Sequence, residues 1–294
     1  MATTISTRHN LARRLETEAT TKWHTAAYAV SGLLAAVSTA AAAATFFVPD
    51  VLRGPAVMNG SARGTAIVML VAGVPLLLCS MLFAARGSLR AQIVWLGAAG
   101  YSVYNGVMFV LATPFNQLYL LYEGMLGLSI WTAVLVVLGI DRAAYRRAFS
   151  ESFPDRRIAG YLLTVTAANT FLWLSGVVPA VFSTDTPKFL EGTGLTTMPT
   201  YDQDLAFWLP SIAVAAIWMW RRMLWGRLLV GATLVMWVVE AVGVAVDQWM
   251  GGAADPASTV ASASISPMFA ALAVIGCVPL FFFMRGLRDR EVAK

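Results

Sequence analysis

Hydrophobic residues run on in long blocks along this chain, separated by short breaks that hold most of the charges, prolines and polar residues. A bilayer core about 30 Å thick needs roughly 20 apolar residues per helix at about 1.5 Å rise each. Blocks of about that length fall at 25–48, 65–85, 91–112, 117–139, 158–182, 205–220, 228–249 and 265–284. The connections are mostly short, and the longest, 183–204, is loop-like in composition, so no separate soluble domain is expected. The pattern predicts an all-α fold, a polytopic transmembrane helical bundle of about eight spans. Residues 1–294 then form a single integral membrane domain, with 1–23 as a cytoplasmic leader.

Composition points the same way: 58% of residues are hydrophobic, only 13% are charged, and mean hydropathy is +0.68. Charge placement adds an orientation, because short loops retain Lys and Arg on the cytoplasmic side. With both termini cytoplasmic, all 21 basic residues except Arg53, Arg63 and Lys188 fall on that side. The isoelectric point near 9.5 is thereby explained by membrane-proximal anchors, without nucleic acid. A secretory signal cut within STAAAAAT would instead leave seven spans, but the apolar run there far exceeds the roughly 7 to 15 residues of a signal core. Those alanines suit close helix approach, so the first span is expected to be buried against the bundle. The expected location is a bacterial inner membrane.

Several chemistries lack their residues. Cys79 and Cys277 lie in separate apolar runs without CxxC spacing. His9 and His24 lie in the leader and at its junction with the first span, so no imidazole pair can hold haem at membrane depth, and no metal cluster is indicated. The lysines at 22, 188 and 294 avoid the spans, which excludes a retinal Schiff base, and Walker, GxSxG and HExxH motifs are missing. No cofactor is expected.

What stands out instead is a set of polar residues inside apolar runs. FNQLYLLYEGMLGLSIWTAVLVVLG (115–139) carries Glu123 about two turns from one end. The third and fourth spans join through the short turn Thr113-Pro114-Phe115-Asn116, so Asn105 and Glu123, equidistant from Pro114, are expected at one depth. Tyr101, Tyr104, Asn105 and Met108 share a face of the third span; Asn116, Tyr119, Glu123 and Gly127 share one of the fourth. Thr166, Asn169, Trp173 and Gly176 recur at helical spacing in the fifth, and the seventh carries Glu240, Gly243 and Asp247. An intramembrane acid is costly enough that it usually faces a partner, a cavity or a pathway. Interhelical hydrogen bonds alone would also account for the Tyr and Asn stripes, and Asp247 is near enough to the boundary to be interfacial. Arg63 is the one basic residue placed to reach these acids from the outer side. The acidic connection STDTPKFLEGTGLTTMPTYDQD is a candidate lid, and Pro75 and Pro279 predict kinks.

The segments YSVYNGVMF, FNQLYLLYEGMLGLS and DLAFWLP running to WRRMLWG resemble a family of bacterial polytopic membrane proteins to which no activity is attached. The resemblance covers about the C-terminal two thirds of the chain and implies a similar multi-helix fold only. Halves of four spans would put Glu123 and Glu240 in positions that do not correspond, so no internal repeat is read. The expected role is an outward-opening, acid-lined pocket between spans three, four, five and seven, serving a non-ATP-driven small-solute or proton-linked transporter. A membrane ligand sensor or accessory subunit is the alternative, and a small lipid-modifying enzyme a third class. Expected partners are the lipid bilayer, a small solute or cation, and a membrane-protein partner or second copy.

Overall fold

The computed structural model describes residues 2–289, with side chains from Lys22 onward. The side chains of Arg8, His9, Arg13 and Arg14 therefore lie outside the described set, as do Arg290 and Lys294 altogether. The described residues are helical throughout apart from loops and one antiparallel bridge, Phe149 to Leu287. The helices are α1 (Ala2–Phe47), α2 (Ala56–Val68), α3 (Val74–Ala85), α4 (Leu89–Leu111), α5 (Tyr119–Leu138), α6 (Arg142–Ala148), α7 (Asp155–Val181), α8 (Pro199–Gln203), α9 (Leu209–Trp220), α10 (Leu224–Ala254) and α11 (Ser266–Gly286). Among them are seven helices long and apolar enough to cross a membrane: Lys22–Phe47, Ala56–Ala85, Leu89–Leu111, Tyr119–Leu138, Asp155–Val181, Leu224–Ala254 and Ala263–Gly286.

The block expected at 205–220 is not one of the seven. It is helical, but as the end of a run made of α8, a π-helical turn at Asp204–Trp208, and α9. Another π turn, Met69–Gly73, the first along the chain, joins α2 to α3. Both turns have the same cause. Pro75 and Pro210 have no N–H to return to the carbonyls of Val71 and Ala206, and a proline ring would crowd those carbonyls. The helix widens instead: Val74 N–H donates to Met69 O and Leu209 N–H to Asp204 O, each five residues back. Pro75 therefore distorts its helix as the sequence predicts. Pro279 sits inside α11 without such a turn, and Pro179 likewise inside α7.

Helix α10 is the axis of the bundle, in contact with α2, α4, α9 and α11. Its most extensive contact is with α2, where Gly60 and Gly64 form a small-xxx-small spacing. A methyl at Gly64 would lie 2.7 Å from the Cα of Asp247, and one at Gly60 2.5 Å from the Met250 carbonyl oxygen. Helix α1 packs mainly on α5, and Ala41 and Ala42 of the alanine run are buried, in keeping with the close helix approach the sequence suggests for that run. The Thr45 and Tyr122 hydroxyls, 2.7 Å apart, tie the same pair.

One end of the bundle is basic and tightly knit. Asp155, almost fully buried, accepts from Arg227 Nε and Nη2 at 2.7 Å each, while Arg222 lies 3.9 Å away. The Arg227 guanidinium also rests over the Phe149 and Phe153 rings at 5.0 and 5.2 Å. Tyr145 of α6 donates to the Leu89 carbonyl at 2.8 Å, and burial pushes its phenol above the usual tyrosine range, so it stays a donor. Away from these contacts the helices present apolar side chains outwards, among them Val71, Leu82, Trp131, Phe171, Val274 and Phe281. Cys79 and Cys277 are exposed on this surface as free thiols.

Gly64→Ile places a branched side chain where the α10 backbone already sits. It should cost about 1–3 kcal/mol or more, read as a lowered midpoint in detergent-solubilised thermal unfolding. Asp155→Ala leaves Arg227 buried without its carboxylate and should cost about 3–5 kcal/mol in the same assay. Arg227→Lys, which cannot make both bonds, should recover only part of that loss.

Candidate functional site

The polar residues inside the bundle form two separate groups, with α4 between them. Asn105 is buried and faces α10, where its Nδ2 donates to Glu240 Oε2 at 2.8 Å and to the Tyr101 carbonyl at 3.0 Å. Glu123 is on the other side of α4. Its partner is Tyr119, one turn earlier on α5, whose hydroxyl donates to Glu123 Oε1 at 2.7 Å. The expected Asn105–Glu123 pair does not form: α4 meets α5 with Gly106 against Leu126 and Phe109 against Tyr122, which leaves Glu123 about one turn nearer the hairpin than Asn105, and the rotation of α4 turns Asn105 towards α10. Glu123 and Tyr119 are both only partly buried, so this carboxylate is not in the dehydrated pocket the sequence suggests.

The larger group collects around Glu240. Asp204 and Asp247 both lie near enough for their charges to bear on it. Asp204 is buried at the start of the second π turn, accepts from Trp173 Nε1 at 2.8 Å, and lies within reach of the Tyr104 hydroxyl. Asp247 has Ser61 of α2 within hydrogen-bond reach, brought there by the close contact at Gly64, and accepts a long bond of 3.4 Å from Gln248. The first π turn contributes through Gly73, at which a methyl would strike the Tyr101 ring at 2.6 Å. That packing holds Tyr101 fully buried with its hydroxyl unpartnered and its ring beside Glu240 and Gly243.

Four of the expected residues therefore join Glu240 and Asp247 here: Tyr101, Tyr104, Asn105 and Trp173. Others do not. Asn169 is partly buried, and no hydrogen-bond partner for it occurs among the described residues. Arg63 pairs with no acid among them, and its Nε is buried without a partner. Its place one residue before Gly64 turns it off the face that meets Asp247. Asn116 closes its own turn, donating to the Pro114 carbonyl and accepting from Leu118 N–H. No three acidic, His or Cys side chains converge closely enough to hold a metal among the described residues.

Composition alone assigns Asp204 to a solvated acidic loop. Helix α8 carries it inwards, and the available signal is the dipeptide Leu209-Pro210, whose proline forces the π turn that begins at Asp204. The Gly60/Gly64 spacing that seats Ser61 is also legible, although the stretch around it reads first as a helix start. The long connection does fold towards the site: Phe189 stacks on Tyr201 at 5.0 Å, and Tyr201 on Trp173 at 4.5 Å. Two concavities of about 350 and 420 Å³ lie at the basic end, and none of the acids lines either. The single pocket expected to reach both Glu123 and Glu240 is not found: Glu240 and Asp247, partly buried, gather with buried Asn105 and Asp204 on one side of α4, and Glu123 pairs with Tyr119 on the other.

The arrangement sets acids against neutral donors. An amide, an indole and hydroxyls can orient carboxylates without neutralising them. Asn105→Leu should leave Glu240 without its donor and cost about 1–3 kcal/mol in thermal unfolding. The double variant Asn105→Leu/Glu240→Leu should recover most of that loss, and a strictly additive result would show that the two side chains are not coupled.

No protein-family model, no curated protein and no solved structure matches this chain. Its function has to be argued from its own residues.

Proposed function

We propose that this chain is a multi-pass protein of a bacterial inner membrane with eight crossings, and that it works as a proton-linked carrier of a small cationic solute. The eighth crossing is the run Pro199–Trp220. It extends from Thr200, in contact with Met108, to Met219, whose backbone abuts Gly226, and lies antiparallel to α10. The cytoplasmic assignment of the basic end follows the positive-inside rule, since Arg86, Arg90, Arg142, Arg156, Arg221 and Arg285 gather there in loops and helix ends. The resemblance to bacterial polytopic proteins supports this architecture and adds no activity.

One observation carries the functional reading: Glu240, in the middle of α10, faces an amide and two further carboxyl groups, with no ion-pair partner among the described residues. Three such groups at membrane depth are neutralised only by protons or by a cation. Exchange of one for the other is the simplest coupling they offer. The cluster as it stands corresponds to the proton-occupied state, and movement of α7 with the Phe189–Tyr201–Trp173 contacts would admit the solute. The ties of the cluster to α2 through Ser61 and to α4 through Asn105 favour a second reading, a sensor or accessory subunit in which occupancy of the cluster is felt by a partner.

Proteoliposomes with an entrapped pH dye separate the two. A panel of inorganic cations and small organic amines added outside should release protons for at least one compound with the wild type. Glu240→Gln, which keeps the shape and the bond to Asn105, should release none. Proton movement that survives Glu240→Gln rules out the cluster as the coupling site. No movement with any compound, joined to wild-type capture of a partner that Glu240→Gln abolishes, selects the sensor.

A further inference from the structure

The basic end carries a feature that the acid cluster does not explain and that stands whether or not the chain is a carrier. Between the first turn of α4 and the last turns of α11 lies an open groove of about 350 Å³, lined by Arg90, Arg285, Phe281 and Met284. Its wall runs into the apolar outer surface, where Phe281 and Phe282 are more than half exposed. Its mouth carries two guanidinium groups of like charge.

How each arginine is held decides what the groove can take. Arg90 is fixed from behind: its Nε donates to the Leu287 carbonyl at 2.7 Å and lies 3.9 Å from Asp289. Asp289 is itself occupied as the cap of α4, accepting from Arg90 N–H and the Ser88 hydroxyl at 3.1 Å each. The tail that supplies Leu287 is pinned by the Phe149 bridge and by Arg288 N–H donating to the Ala148 carbonyl at 2.9 Å. Arg285 is exposed and has no ion pair among the described residues. One pre-oriented and one free guanidinium, above an apolar wall that opens sideways to lipid, match a phosphate joined to an acyl chain.

We infer that the groove between α4 and α11 is a binding site for an anionic phospholipid, with its phosphate between Arg90 and Arg285 and a chain along Phe281 and Met284. Zwitterionic lipid offers the same chain and phosphate but adds a headgroup cation against two arginines. Inorganic phosphate offers the anion without the chain. The site therefore prefers phosphatidylglycerol to both.

Native mass spectrometry of the detergent-solubilised full chain, titrated with phosphatidylglycerol or phosphatidylcholine, tests this. Phosphatidylglycerol should be retained preferentially, and Arg285→Gln should lower its retention by about tenfold, the loss of one charge-assisted contact. Arg90→Gln should do at least as much, but because Arg90 also holds Leu287, the exposed Arg285 supplies the decisive variant. Arg146→Gln/Arg147→Gln removes two charges from the same end, on the neighbouring α6 and outside the groove's lining, and should leave retention unchanged. An equal loss in that control means diffuse surface attraction and overturns the site. Equal retention of the two lipids overturns it as well. Displacement of the lipid by millimolar inorganic phosphate makes it a free-anion site and overturns the lipid assignment.

Discussion

A peptide group inside a helical bundle that loses its helical partner finds little water to replace it, and two prolines show how this chain meets that constraint. Pro75 and Pro210 each delete a donor from a helix that must stay continuous. In both cases the ladder shifts by one residue into a π turn. The shift rotates the helix beyond it, and its consequences are specific. The turn before Pro75 lays Gly73 against the Tyr101 ring, and the turn before Pro210 begins at Asp204 and carries it into the bundle. Backbone satisfaction thus positions two members of the polar cluster before any side chain is considered.

Carboxylates are treated in opposite ways at the start and in the middle of α10. At its start, Arg227 meets Asp155 through two short bonds and lies over two aromatic rings, so charge is cancelled and the pair works as a clamp holding α7 to α10. Further along, Glu240 receives an amide, and its charged neighbours are acids. Full compensation makes a rigid joint, whereas orientation without compensation leaves a site whose energy depends on what occupies it. The same helix is held firmly at its start and left electrostatically open at its middle.

The outer surface divides along similar lines. Helix α1 packs mainly on α5 and is tied to it by paired hydroxyls, while α7 rests mainly on α9 and exposes Phe171, Leu172, Val178 and Phe182. Trp173 extends from this lightly packed helix to Asp204. The element with least packing around it therefore supplies one of the donors to the acids, and the loop aromatics Phe189 and Tyr201 complete the contact.

Much of this is legible in the sequence. Span positions follow from local hydropathy, the one-sided arginines from short basic loops, and the stripes Tyr101/Tyr104/Asn105, Tyr119/Glu123 and Glu240/Asp247 from helical periodicity. Each of these depends only on residue spacing along one helix. Which stripe meets which does not. The short turn brings Asn105 and Glu123 onto neighbouring helices, about one turn apart in level, yet Asn105 bonds Glu240, 135 residues further along, because the packing of α4 against α10 sets its rotation. Asp204 reads as loop until Pro210 and the contacts of Trp173 and Tyr104 draw it inwards. Depth in a membrane helix is a linear function of residue number; rotation and choice of neighbour are set by packing between distant segments. Local spacing is therefore enough to define the helices and their polar faces, whereas the gathering of the acids into one cluster beside α4 and one isolated pair behind it arises only when those distant segments pack.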